Sequence, residues 1–193
     1  MSLSLLEAYF SSLAPLAPET FQYVAALFRE APLKKHDYFA REGRVEKRIG
    51  FLTEGVVRAF YRTSDGAEYN KHFFTAPSLI GAYSSLISGS VNQINQQALT
   101  DCMLWTADYQ ELTRLYAAHP ELERIGRRNA ELAFVEKEQR EIDIVLLDAD
   151  KRYENFRKNF PDLEQIIPQY QIASYLGITP TQLSRIRQKR LRF

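Results

Sequence analysis

The chain has 193 residues, 45% hydrophobic and 25% charged, with 25 Lys/Arg against 24 Asp/Glu. That composition is ordinary for a globular protein of one large or two small domains and excludes a polycation, a polyanion or a low-complexity chain. The single cysteine, Cys102, excludes an internal disulfide and a cysteine-built metal cluster. No apolar run approaches a membrane span, and the opening MSLSLLEAYF lacks the basic and long apolar regions of a signal peptide, so a cytoplasmic chain is expected.

The first stretch of predicted elements runs to about residue 118. SLSLLEAYFSSLAPLAPETFQYVAALF spaces apolar residues helically, and Pro15 and Pro18 break it into two short helices. From about residue 36 the period changes. DYFAREG, KRIGFLTEGVVRAFYRTSDGAEYNKHFF and INQQALTDCMLWTADY alternate or cluster β-branched and aromatic residues between turn signals. Asp65-Gly66, between VVRAFYR and EYNKHFF, predicts a hairpin with a tight primed turn, which needs positive φ. Short strands at this spacing predict a small barrel or jelly roll.

A long helix follows, from about Pro120 to Leu147. Ile125, Leu132, Gln139 and Leu146 recur at seven-residue steps, with Val135 and Ile142 at the companion position and mostly Glu, Arg and Lys beside them. This is the pattern of a coiled-coil seam with one polar position. An amphipathic helix packed on its own domain is the alternative. The chain offers no second long helix to pair with, so the expected partner is a second copy, with Gln139 helping to fix register.

The last stretch, about 148–193, is helical and basic. Residues 151–193 hold nine Lys/Arg against three Asp/Glu, whereas residues 119–150 hold five against nine. The basic excess is therefore C-terminal. Within QYQIASYLGITPTQLSRIRQ, small Ala173 falls where two helices must approach, and Gly177 falls in the turn. Ile172, Leu176, Ile178, Leu183 and Ile186 occupy the positions that bury one helix against the other. Thr179, Pro180 and Gln182 make a capping box with proline at the first helical position. These choices together predict a helix-turn-helix whose second helix can lie in the major groove of double-stranded DNA. A helix-turn-helix used for protein contact would share them.

In its order of barrel, long helix and C-terminal helix-turn-helix, the chain resembles the catabolite activator/FNR (Crp/Fnr) family of bacterial transcription regulators. LGITPTQLSRIRQK is similar to the short members common in Bacteroidetes-type bacteria. IGFLTEGVVRAFY resembles the family's early barrel strands, and ALTDCMLWTADYQEL its late strand and following helix. The resemblance implies an α+β fold: a cyclic-nucleotide-binding-like jelly roll with N-terminal helices (1–118), a dimerisation helix (119–147) and a helix-turn-helix domain (148–193). It implies a homodimer on an inverted-repeat operator. Carried over by position, Thr179, Pro180, Thr181, Gln182, Ser184 and Arg185 meet bases. Arg185 is suited to a guanine edge and Gln182 to adenine, while Pro180 offers only apolar contact. Gln169, Tyr170, Arg187 and Lys189 contact phosphates. Members often continue into a β-hairpin wing. With the sequence ending at Phe193, a reduced or absent wing is expected, its contacts replaced by Arg190 and Arg192.

The same resemblance locates the sensor. In members that bind cyclic nucleotides, a Gly-Glu pair opens a short helix and an Arg-Ser pair follows about ten residues on. Here Gly81 is followed by Ala82, and the Arg-Ser place falls near Asn92-Gln93. From Phe73 to Thr100 there is no Asp, Glu, Lys or Arg. A buried phosphodiester needs a cation or several backbone donors, because an unpaired buried charge costs several kcal/mol. Gly81 at a helix start could offer donors, and Arg58 could reach inward from a strand. Arg58, Gly81, Ala82, Asn92 and Gln93 are thus the candidate ligand residues, and the expectation is no response to cyclic nucleotides. A neutral small effector among the Ser, Asn and Gln side chains is the alternative to a packed barrel.

No cofactor is expected. An iron–sulfur sensor needs several cysteines, and His72 between Lys71 and Phe73 reads as a strand residue, not a haem ligand. A cupin-type enzyme would need clustered histidines on facing strands, and His36 and His72 do not cluster. Neither a phosphate loop nor a nucleophile elbow is present, so a non-enzymatic regulator is expected.

Overall fold

The two prolines punctuate the N-terminus because proline fixes φ and lacks a donor. In the computed structural model, which describes residues 2–190, α1 (Ser2–Leu13) and α2 (Pro18–Leu27) are separated at this point, with Pro18 opening α2. Strands β1 (Arg29–Glu30), β2 (Tyr38–Ala40), β3 (Arg48–Glu54), β4 (Val56–Arg62), β5 (Glu68–Thr75) and β6 (Ser78–Ile80) follow. Then come α3 (Tyr83–Ser88), β7 (Asn95–Ala98), β8 (Met103–Asp108) and α4 (Tyr109–Arg114). The chain continues through a 3₁₀ turn to α5 (Pro120–Leu146), α6 (Ala149–Asn159), α7 (Leu163–Ile166), α8 (Gln169–Leu176) and α9 (Pro180–Arg190). No helix among the described residues is long and apolar enough to cross a membrane.

The strands form two four-stranded sheets, ordered β1-β8-β3-β6 and β2-β7-β4-β5, the jelly-roll arrangement. β3 explains how one strand serves two cores. Its side chains alternate between faces. Ile49 and Phe51 join Leu6, Phe10, Val24, Phe28 and Leu122 in a core under the helices. Leu52 joins Phe39, Val57, Ala59, Ile80, Ala98 and Leu104 in a second core of the barrel. The near-continuous apolar run of this strand is thus a consequence of burial on both faces.

The Asp65-Gly66 hairpin forms, but not with a two-residue primed turn. The Gly66 amide donates to Thr63 O and the Thr63 amide donates to Ala67 O, with positive φ only at Gly66 in this turn. This is a three-residue loop in which glycine supplies the left-handed residue after an ordinary turn.

Two compact units result: Met1–Ala59 with Phe73–Ala133, and Phe60–His72 with Phe134–Phe193. In the first, Leu122 and Ile125 on α5 are buried in the helix-side core. Ile125 was expected in the intermolecular seam. It is instead consumed by its own domain, because the start of α5 packs on α1, α2 and α4 side chains. The second unit has an aromatic core. Phe156, Phe160 and Tyr175 meet pairwise at 5.5–5.7 Å between ring centroids, and Leu163, Ile172, Ala173, Leu176 and Leu183 of the same unit are also buried.

Candidate nucleic-acid interface

The α8–α9 corner is built from backbone chemistry. Gly177 ends α8 at φ 67° and ψ 35°, a region that only glycine enters without a Cβ penalty. Its amide donates to Ala173 O and Ser174 O, and the Ile178 amide reaches back to Ala173 O at 3.0 Å. This closes the orphan carbonyls of α8 in a Schellman arrangement. Two residues on, the Thr179 amide donates to Gln182 Oε1 at 2.9 Å and the Gln182 amide donates to Thr179 Oγ1 at 3.2 Å. The capping box is reciprocal, and it starts α9 at a defined angle to α8. Leu183 and Ile186 on the inner side of α9 are buried, as are Ile172, Ala173 and Leu176 on α8, the helix that α9 packs against.

The outer side of α9 is polar. Thr179, Pro180, Thr181, Gln182, Arg185, Gln188 and Lys189 are exposed, and Ser184 and Arg187 are half-buried. At 100° per residue, Thr181, Arg185 and Gln188 lie at the centre of the exposed arc. No carboxylate among the described residues pairs with Arg185. Lys189 lies 3.6 Å from Asp150, an exposed pair that water and salt weaken. Gln169 and Tyr170 are exposed at the start of α8. Gln182 is less available than its position suggests, since its amide oxygen is spent on the cap and only the NH₂ can reach outward. Arg192 and the side chain of Arg190, expected to stand in for a wing, lie outside the described residues.

Sequence reasoning missed the groups that fix this corner. Arg140 on α5 donates to Asn70 O at 3.0 Å and Tyr175 O at 2.8 Å, and its guanidinium sits 3.7 Å from the Tyr175 ring centroid. Burial pushes the Tyr175 hydroxyl above its ordinary range against the opposing pull of Arg140. Arg152 on α6 donates to Leu147 O at 2.6 Å and Leu176 O at 3.0 Å. The Leu147–Ala149 joint between α5 and α6 is therefore bridged, with Asp148 also capping α6 through the Lys151 amide at 2.9 Å. In the sequence both arginines are indistinguishable from surface charge.

Beyond Ile125, the seam residues are outward-facing. Leu132, Val135, Gln139, Ile142 and Leu146 are exposed, and they fall within an arc of about 80° at helical spacing. Gln139 donates to Asp143 Oδ1 at 2.8 Å along the same helix.

The polar groups of the candidate ligand residues are largely committed to the chain's own hydrogen bonds. Arg58 faces away from the Val57 and Ala59 side of β4 and donates to Gln97 Oε1 at 2.7 Å. Ala82 is part of the barrel core. Gly81 O accepts from Gln96 Nε2 at 2.9 Å. Asn92 spends its side chain on Arg41 O, Ile94 O and the Ile94 amide. Gln93 is exposed. Gly50 shows how full the barrel is: a Cβ there would lie 3.0 Å from both Phe39 and Ile80.

Residues 30–119 match the cyclic nucleotide-binding domain family. No curated protein sequence matches the chain. Among solved structures, the c-di-GMP-responsive global regulator CLP of Xanthomonas campestris aligns with a TM-score of 0.71 at 16% identity over 91% of this chain and 92% of its own. FixK2 of Bradyrhizobium japonicum aligns at 0.72 and 16% identity over 84% and 83%. A protein described as a transcriptional regulator of the crp/fnr family from Eubacterium rectale aligns at 0.74 and 16% identity over 96% and 88%. At these identities what is shared is the fold.

Proposed function

We propose that this chain, whose residues 30–119 match the cyclic nucleotide-binding domain family and whose fold is shared with Crp/Fnr regulators, is a homodimeric, sequence-specific DNA-binding regulator of the cytoplasm that does not respond to cyclic nucleotides. One observation carries the DNA reading. The Gly177 turn and the Thr179–Gln182 box hold α9 with Arg185 at the middle of a polar, exposed arc. A helix presented this way can enter a major groove, with Arg185 donating to a guanine edge and Tyr170, Gln169 and Lys189 near phosphates. The dimer reading is supported by the exposed Leu132–Leu146 stripe of α5, whose burial against a second copy would remove large apolar side chains from water.

The barrel interior supports the absence of cyclic nucleotide control. Phe39, Leu52, Val57, Ile80 and Leu104 occupy it, and Arg58, the cation expected to reach inward, is instead bonded to Gln97 on the other face of β4, away from where a buried phosphate would need it.

The test is selection of genomic DNA fragments by the purified protein at near-physiological salt. The expected product is an inverted repeat with half-sites about 34 Å apart, bound with a steep negative salt slope. Recovery of unrelated fragments would turn the reading toward a protein-contact use of the corner. Titration calorimetry with cyclic AMP and cyclic GMP is expected to give no binding heat, and saturable binding would overturn the insensitive sensor.

A further inference from the structure

The hairpin tip Phe60–His72 belongs to the same compact unit as the helix-turn-helix, although its strands β4 and β5 begin and end in the other unit. Its attachment to α8 is polar and buried. Asn70 is fully buried and Gln171 nearly so. Asn70 Nδ2 donates to Gln171 O at 2.8 Å and to Gln171 Oε1 at 2.6 Å. The Asn70 amide donates to Ser174 Oγ at 3.0 Å, and that hydroxyl donates to Glu68 O at 3.0 Å. The Asn70 carbonyl accepts from Arg140, which also holds Tyr175 O. Beside them Tyr69 Oη lies where a Cβ on Gly177 would be only 2.8 Å away.

Such a network admits one arrangement. A buried amide that loses its partners has no water to replace them, so the contact is made fully or not at all. Strand alternation sharpens this. A one-residue slip of β5 would present Tyr69 or Lys71 to α8 in place of Asn70, and neither carries the neutral NH₂ group that reaches both Gln171 O and Gln171 Oε1.

We propose that the β4–β5 hairpin is a clamp on the reading head: Asn70, seated between Gln171 and Ser174, is a positioning residue that fixes α8 and therefore α9. Displacement of strands β4 and β5 then releases or re-aims the recognition helix. The clamp gives the sensor sheet a route to the helix-turn-helix that is separate from the α5–α6 joint. Its regulatory meaning rests on the DNA reading above, whereas its mechanical content does not.

The experiment pairs hydrogen exchange with DNA affinity on the full chain, for Asn70→Ala and the milder Ser174→Ala. Without DNA, the amides of α8 and α9 are expected to exchange about tenfold faster in Asn70→Ala, with α1, α2 and β3 unchanged. Affinity for the selected operator is expected to fall about tenfold while affinity for random DNA and its salt slope stay constant. Unchanged exchange in α8 and α9 in both variants overturns the clamp. Faster exchange with unchanged operator affinity overturns its control over reading. If Asn70→Ala loosens the whole chain, Ser174→Ala decides by the same two readouts. If the wild type selects no operator, the DNA reading fails, and the exchange pattern alone still decides whether the hairpin holds the helices.

Discussion

At the residue scale, Arg185 and Gly177 show two ways in which one side chain, or its lack, would govern the proposed interface. Arg185 lies mid-arc on α9 without a carboxylate partner among the described residues, so its guanidinium can form two parallel bonds to a base. Arg185→Ala is expected to weaken operator binding by about 1–3 kcal/mol and to relax preference at one base pair, as read by binding to a panel of single-base operator variants. A uniform loss across the panel would reassign the residue to phosphate. Gly177 acts through the backbone. Gly177→Ala must hold an L-residue at φ 67° with its Cβ against Tyr69. The expected cost is about 1–2 kcal/mol in urea unfolding. An unchanged midpoint would mean that the turn relaxes to another conformation.

At the element scale, α5 changes role along its length. Its first turns are anchored by Leu122 and Ile125 in the helix-side core, and from Leu132 onward the apolar stripe faces outward. The heptad register is continuous through both regions, because a buried intramolecular position and a seam position demand the same residue type. Periodicity therefore located the stripe but could not say where self-packing stops. Ile142, which is 44% exposed, belongs to the outward part. Ile142→Asp is expected to yield a monomer in sedimentation equilibrium with unchanged helical circular dichroism. A retained dimer would remove the seam.

At the scale of the whole molecule, acid stability is set in part by His72. Burial first, and then Arg140 and Lys71, lower its pKa from the ordinary 6.5 to about 4. Glu136 lies 3.6 Å away and opposes this only weakly, its own carboxyl being raised by burial. Between pH 6.5 and about 4 the unfolded chain carries a proton on this histidine that the folded chain refuses. Stability from this group is therefore complete above pH 6.5 and is lost as the pH falls toward 4, by up to about 3 kcal/mol. Glu136 works in the opposite sense at the lower end of the window. His72→Gln is expected to flatten the dependence of the urea midpoint on pH between 6.5 and 4. An equally steep dependence in the variant would place the titration on the carboxylates.

Local signals suffice for the proline-split N-terminal helices, the alternating strands, the long helix, and the Ala173–Gly177–Thr179–Gln182 corner. Each rests on propensity, period or backbone conformation, which act over a few residues and leave their mark there. Other features depend on which segments meet in the folded chain, which those signals cannot encode. Arg58 is inward or outward according to which face of β4 meets the second sheet. Ile125 is core or seam according to what covers it. Asn70, Arg140 and Arg152 become anchors of the α8–α9 corner because chain segments 24–106 residues apart in sequence meet around them. A buried hydrogen bond depends on both partners, and a sequence read one window at a time sees only one of them.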